Sequence, residues 1–255
     1  MKFRKQIYAF AFSLLAACAA SAQSNPGTIA SLETQTPKAG MSQQYEQGRK
    51  QKADWHKQQK DPLPLYVFEV ISGDDTGSYI VGRFGQHWAD MDKPAIPDTT
   101  DTEEFNKVIG NYVQSVTARF YEFLPKLSHT EASSGGPAKF EEVVTFRVRH
   151  DKIGAFRGAL ARVAEAAQKT KWPVQYEFYE LANGGYDGTF VLGEAHANFA
   201  DFEDKPDVKP FREMLKDAFG QAEADSVYDR LQGAIESEYT EILQFRPDLS
   251  YVPAK

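Results

Sequence analysis

Glu69 and Glu180 occupy matching places in two similar stretches of this chain, each in the middle of an alternating apolar run. Glu69 shares its side of the run with Leu65, Val67 and Ile71, and Glu180 with Tyr176 and Phe178. A carboxylate in such company must be paired, hydrogen-bonded or protonated. Two of them turned into one cavity would make an acid/base pair. The competing reading, which we favour on residue type alone, is an arginine or a helix N-terminus reaching each carboxylate on the outer side of a sheet. His87, beside Trp88 and Asp90, is the third candidate catalytic group, as a proton shuttle or an axial haem ligand. His196 stands two positions earlier in the second stretch, opposite Gly85, so any histidine site is asymmetric. The plainer reading of both is a loop-surface histidine, and the same holds for His56, His129 and His150.

A second constellation is aromatic. Tyr66, Phe68, Tyr79, Trp88, Tyr176, Phe178, Phe190 and His196, with Tyr179, are the candidate lining of an apolar ligand pocket; ordinary core packing is the alternative. The acidic segments around Asp90 and Asp201 lack the glycine-assisted turn of a calcium loop, so no metal site is expected. Asp90 and Asp201 are expected instead to cap helical turns, with Trp88 and Phe199 packed beneath. Serine-hydrolase, zinc-protease, phosphate-loop and dinucleotide signatures are missing from the sequence.

The elements that must position these residues come in duplicate. Residues 62–91 and 173–202 align without a gap, with Pro62, Glu69, Gly73, Gly77, Gly82, Ala89 and Asp90 recurring as Pro173, Glu180, Gly184, Gly188, Gly193, Ala200 and Asp201. Around them the pattern predicts a helix from Gly40 to about Lys60, strands at Leu63–Ile71 and Ser78–Phe84, and a helix over Thr102–Val116. A short strand at Ala118–Leu124 closes the first copy. In the second copy, strand Glu142–Arg149 precedes helix Ile153–Lys169 and the hairpin Val174–Leu181/Thr189–Ala195. Helices Lys209–Phe219 and Glu223–Glu238, broken at Gly220, lead to strand Thr240–Phe245. Phe123-Leu124-Pro125-Lys126-Leu127-Ser128 echoes Phe245-Arg246-Pro247-Asp248-Leu249-Ser250. Each copy thus reads β-α-β-β-α-β, a ferredoxin-like unit. The central strands are apolar on both faces, so both sides of each sheet must be covered.

On the strength of Pro37-Lys38-Ala39-Gly40-Met41 with Tyr45, and of Gly82…Trp88-Ala89-Asp90 repeated at Gly193…Phe199-Ala200-Asp201, the chain resembles the dimeric α/β-barrel superfamily. That superfamily includes the antibiotic-biosynthesis monooxygenase-like and NIPSNAP-like families. The resemblance spans most of residues 30–251 and implies an α+β fold: two tandem ferredoxin-like repeats, 23–128 and 140–255, joined by a linker at 129–139, with their sheets face to face as a pseudo-dimeric barrel. It also implies a pocket for a small molecule or haem, and activities from oxygenase to none.

Composition narrows the setting. Lys2, Arg4 and Lys5 precede an apolar run, Ile7–Ala20, that is too short to span a bilayer, and Ala20-Ser21-Ala22 fits a cleavage site. A signal peptide over 1–22 and a periplasmic or secreted location are expected. Leu15-Ala16-Ala17-Cys18 offers the alternative of lipidation at Cys18, the only cysteine. Cleavage after Ala22 leaves no thiol for catalysis or metal binding. Net charge is −7, and loss of the three leader cations makes it −10, which disfavours nucleic acid as a partner. The basic run Arg49-Lys50-Gln51-Lys52 reads as a solvated helix face. The function expected is binding of a small apolar or aromatic ligand. A cofactor-independent oxygenase or haem-handling enzyme is the alternative, and a non-catalytic envelope interaction protein is the third reading.

Overall fold

The computed structural model describes residues 27–130, 137–203 and 205–253, so the expected signal segment with Cys18 and most of the expected linker lie outside the described residues. The described chain is α+β, with eight strands and five α-helices, and its strand pairings run antiparallel. It forms two compact units. No helix among the described residues is long and apolar enough to cross a membrane.

One unit holds residues 27–122, 182–184 and 241–253. Its elements are β1 (Ile29–Pro37), α1 (Ser42–Gln58), β2 (Tyr66–Ser72), β3 (Tyr79–Gln86), α2 (Asp98–Val108) and β4 (Val113–Phe123). The sheet order is β4-β1-β3-β2, and the end of β8 (Ile235–Phe245) lies beside β2, with Phe68 opposite Phe245. Tyr45, Val67, Tyr79, Val81, Ile109 and Leu249 form the core under the helices. At Gly48, α1 meets α2 so closely that a Cβ would stand 2.1 Å from the Val108 carbonyl oxygen.

The other unit holds the described residues from 123 to 181 and from 185 to 240. It contains β5 (Phe140–Val148), α3 (Ile153–Thr170), β6 (Glu177–Asn183), β7 (Thr189–His196), α4 (Phe211–Phe219), α5 (Gln221–Ala234) and the start of β8. Its sheet runs β5-β7-β6. The buried stripe of α3, from Phe156 through Leu160 and Val163 to Ala167, repeats at helical spacing and packs on Phe146, Phe178, Phe190 and Leu192 of the sheet.

Two tails finish the sheets by the same bonds. The Arg246 amide donates to the Val67 carbonyl at 2.8 Å, and the Val67 amide to Ser250 Oγ at 2.9 Å. Likewise the Leu124 amide donates to the Phe178 carbonyl at 2.8 Å, and the Phe178 amide to Ser128 Oγ at 2.9 Å. Tyr251 exchanges backbone bonds with Leu65, and His129 with Tyr176.

Several sequence expectations change. The helix expected to run to Val116 ends at Val108, and Val113–Phe123 is strand, because Tyr112 and Val116 suit a pleated edge equally well. The last helix stops at Ala234 instead of Glu238, where Ile235 begins β8. The basic run of α1 is not a solvated face: Arg49 and Lys52 are buried with Tyr45, Gly48 and His56, one helical stripe turned inward.

Candidate functional site

Alternation along the strands decides which expected site residues share a face. Glu69 stands on the Val67 side of β2 and Glu180 on the Phe178 side of β6, which in both cases is the helix-covered side. Each carboxylate meets an arginine there. Glu69 Oε2 lies 2.8 Å from Arg246 Nη1, and Glu180 pairs with Arg157 of α3. Arg246 also holds Glu46 at 2.6 Å and Asp248 through two 3.0 Å bonds, while the Tyr79 hydroxyl donates to Glu46 at 2.8 Å. Hydrogen bonding to Glu46, then Asp248, raises the Arg246 pKa, and the same arginine lowers that of Glu46.

His87 is exposed, and the turn Trp88–Asp92 starts from it. Its backbone amide donates to Asp90 Oδ2 at 2.7 Å, and its side chain accepts from the Asp90 amide. Asp201 accepts the Ala197 amide at 3.0 Å at the head of the matching turn, Phe199–Phe202. The aromatics of these turns are not packed beneath them: Trp88 is 50% and Phe199 59% exposed, each resting one side on the sheet, at Phe120 and Phe140. A turn as short as either leaves no room under it for a whole indole or phenyl ring.

The expected aromatic lining divides between two faces. Tyr79, Tyr176, Phe178 and Phe190 face the helices, and the Phe190 ring packs against Phe156 at 5.0 Å, tilted by 55°. Tyr66 and Phe68, one step out of phase with Val67, face the other way and pack with Phe245. In the unit with α3–α5, a cavity of about 30 Å³ opens between sheet and helices, room for about two waters. Its wall includes Tyr176, Phe178, Trp172, Phe211, Leu231 and Glu194. The surface facing the cavity is apolar throughout, and the Tyr176 hydroxyl is buried without a hydrogen-bond partner. Burial, with the Glu142 charge second, pushes the Glu194 carboxyl well above the usual carboxylate range and favours the neutral acid. Two residues along β7, on the same side, His196 is buried and stacked on Phe202 at 4.0 Å, with neither ring nitrogen hydrogen-bonded. Its Nε2 is 3.7 Å from Glu142 Oε2, outside hydrogen-bond reach. Burial lowers its pKa to about 4, against a smaller upward pull from Asp201.

On the opposite face of that sheet lie two more buried carboxyls, Glu141 on β5 and Glu177 on β6. The Tyr179 hydroxyl donates to Glu177 at 2.9 Å, whereas Glu141 Oε1 has no hydrogen-bond partner. Burial first and the Glu177 charge second raise the Glu141 pKa well above normal.

Sequence reasoning missed both carboxyls, and it also missed His56. That ring is buried, 2.9 Å from Asp61, which takes a 2.7 Å bond from Arg83 and passes a backbone carbonyl to Tyr251. His56 Nε2 lies 3.5 Å from Asp101, which in turn holds Lys52 at 3.0 Å. The signal available was the i, i+4, i+7, i+11 stripe of Tyr45, Arg49, Lys52 and His56, whose charges read as solvent-facing.

Neither expected histidine fits haem. The His196 ring is covered by Phe202, and the cavity of its unit is sized for waters, while His87 caps an exposed turn. Among the described residues no cluster of three or more His, Cys, Asp or Glu could hold a metal ion.

No family model matches this chain, and no curated protein sequence matches it either. Its backbone is similar to solved structures. A candidate monooxygenase from Lactobacillus acidophilus NCFM superposes with a TM-score of 0.53 at 11% identity, over 89% of this chain and 97% of that one. A candidate monooxygenase from Fusobacterium nucleatum gives 0.53 at 12%, over 87% and 94%. The chlorite dismutase of Candidatus Nitrospira defluvii, solved with imidazole, gives 0.52 at 9%, over 88% and 93%. At such identities the likeness is one of fold, and the fold shared is ferredoxin-like.

Proposed function

We propose that this protein binds a small, largely apolar or aromatic molecule carrying a hydroxyl or carbonyl group, in the unit built from β5–β7 and α3–α5. The observation that carries the reading is the Tyr176 hydroxyl, buried without a partner on a residue that, with Glu194, lines an apolar cavity and would turn its oxygen inward as that cavity opens. A buried hydroxyl left unpaired is costly, and a ligand oxygen would remove that cost. Glu194, held as the neutral acid, can donate a second hydrogen bond without placing a charge in the pocket. Aromatic walls supply the remaining contact. A ring-sized ligand requires Phe211 and Leu231 to part, since the cavity at rest takes about two waters.

The test is thermal unfolding with phenol as the probe. Phenol at millimolar concentration should raise Tm in proportion to the logarithm of its concentration. The shift should shrink strongly in Tyr176→Phe. No shift with the unsubstituted protein defeats the proposal.

A cofactor-independent oxygenase on the same fold is the second reading. A neutral acid, Glu194, a carboxylate, Glu142, and an unprotonated imidazole, His196, along one sheet face support it, as does the fold shared with the monooxygenase candidates. Oxygen uptake with a phenolic substrate, lost in His196→Gln, would favour it.

The duplication belongs to the same proposal, with repeats over 23–128 and 140–255 and a pseudo-dimeric barrel as their arrangement. The sequence repeat and the matched tail bonds at Val67 and Phe178 support it. Export, by cleavage after Ala22 or by lipidation of Cys18, rests on the leader sequence, and the mass of the mature N-terminus tests it.

A further inference from the structure

The two sheets treat one glycine position differently. In the unit containing β1–β4, Gly82 of β3 stands between Leu32 of β1 and Tyr66 of β2. A Cβ on Gly82 would meet the Leu32 side chain at 2.2 Å, so the space above it is filled. In the other unit Gly193 of β7 stands between Val143 of β5 and Glu177 of β6, on the face away from the helices. A Cβ on Gly193 would meet nothing within 4 Å. The shorter Val143 replaces leucine, Glu177 replaces tyrosine, and Glu141, two residues before Val143, stands where the first sheet has Ala30. What is closed and apolar in one sheet is open and acidic in the other.

From this juxtaposition we propose that Glu141 and Glu177, with the Tyr179 hydroxyl, form a binding site for a small organic ammonium ion seated over Gly193. Glu141 is 2% and Glu177 6% exposed, and Glu141 Oε1 is buried without a donor. An ammonium group supplies three donors and no acceptor, which matches a pair of carboxyls beside a hydroxyl oxygen. The charge-assisted bonds it forms are the strong kind. Among the described residues of this face, Thr145 on β5 and Thr189 on β7 do not titrate, Gly193 and Ala195 of β7 carry no polar side chain, and Arg147, at the far end of β5, lies over the Tyr186 ring at 4.2 Å. With no cation bound, the pair retains a proton on Glu141. Arrival of the ammonium ion displaces that proton from Glu141 to buffer, so binding and proton release are coupled.

The experiment is isothermal titration of the full mature chain with 2-phenylethylammonium, run at pH 7 in phosphate and again in Tris, and with 2-phenylethanol as the uncharged counterpart. Saturable binding of the amine is expected, with a heat that differs between buffers by up to one proton per ligand. The alcohol should bind at least about tenfold more weakly. Glu141→Gln should abolish the buffer dependence and weaken amine binding about tenfold or more, and Glu177→Gln should weaken it similarly. Circular dichroism melts verify that each variant is folded, and Gly193→Leu, which fills the space, serves as a second route to the same loss. Absence of saturable amine binding, equal binding of the alcohol, or an unchanged titration in folded Glu141→Gln overturns the proposal. Phenol binding at Tyr176 involves the other face of the sheet and other variants, so either result stands without the other.

Discussion

Asp61 Oδ2 lies 2.9 Å from His56 Nδ1, and both side chains are buried. The pair ties the end of α1 to the segment entering β2, with Arg83 of β3 as the second clamp at 2.7 Å. Removing the Asp61 carboxylate leaves Arg83 without its counter-ion and His56 Nδ1 without its buried partner. Asp61→Asn should therefore cost about 3 kcal/mol, read from urea unfolding. Burial works against the carboxylate, but hydrogen bonds from His56 and Arg83 outweigh it and hold the pKa near about 2. The stability contributed is complete above the ordinary 3.8 and is lost as pH falls through about 2. Equal losses of stability between pH 4 and pH 2 in the unsubstituted protein and in Asp61→Asn would contradict this.

His196 has the opposite chemistry and the same sign. Its pKa is depressed by burial to about 4, so the unfolded chain takes up a proton below 6.5 that the folded chain refuses. Stability from this group is full above pH 6.5 and declines as pH falls towards 4. Unfolding at pH 7.5 and pH 5.0 should show a larger loss in the unsubstituted protein than in His196→Gln. Equal losses would show that the ring is not buried neutral.

Glu194 should give the mirror-image profile. With a raised pKa its folded form holds a proton that the unfolded chain releases, so stability falls as pH rises through the folded pKa. Glu194→Gln should leave stability near pH 4 unchanged and raise it at pH 9. A substitution that destabilises equally at both pH values would mean that the carboxylate is charged and paired.

Gly48 is where α1 and α2 touch. Its added Cβ would lie 2.1 Å from the Val108 oxygen, a backbone atom that cannot swing aside. Gly48→Ala should cost about 1–3 kcal/mol despite the better helix propensity of alanine. A stabilised variant would show that the helices can separate without loss.

Ser128 and Ser250 do one job at two places. Each hydroxyl accepts the amide of a central strand residue, Phe178 or Val67, at 2.9 Å. Alanine at either position leaves a buried donor unpaired, a cost of about 1–3 kcal/mol. Hydrogen exchange should quicken at the Phe178 amide in Ser128→Ala and at the Val67 amide in Ser250→Ala, each without the other.

The β-α-β-β-α-β order was legible because helical and strand periods alternate cleanly, most of all over α3 and β5–β7. The face taken by each residue was harder. Leu65–Ile71 and Val174–Leu181 are apolar on both sides, so the pattern separates Val67 from Tyr66 without saying which one meets a helix. The partners of Glu69 and Glu180 differ in visibility. Arg157 on α3 lies 23 residues from Glu180 in the sequence, whereas Arg246 lies 177 residues from Glu69. Charge misled at α1, where Arg49, Lys52 and His56 are buried because Asp101 of α2 and Asp61 wait for two of them. Glu141 escaped notice because it precedes the expected start of its strand at Glu142, and Glu177 because a lone strand glutamate reads as solvent-facing and nothing local reveals its burial.

The tail that ends at Tyr251 has a temporal meaning. The chain is made from its N-terminus, so β2 exists long before Arg246 and Ser250 do. Until they arrive, the outer edge of β2 presents bare amides and carbonyls, and Glu46 and Glu69 lack their shared counter-ion. The β1–β4 sheet is thus held incomplete until the segment with Arg246 and Ser250 has been made, 183 residues after Val67. Residues 246–251 act as a latch that closes a unit whose other strands were made far earlier.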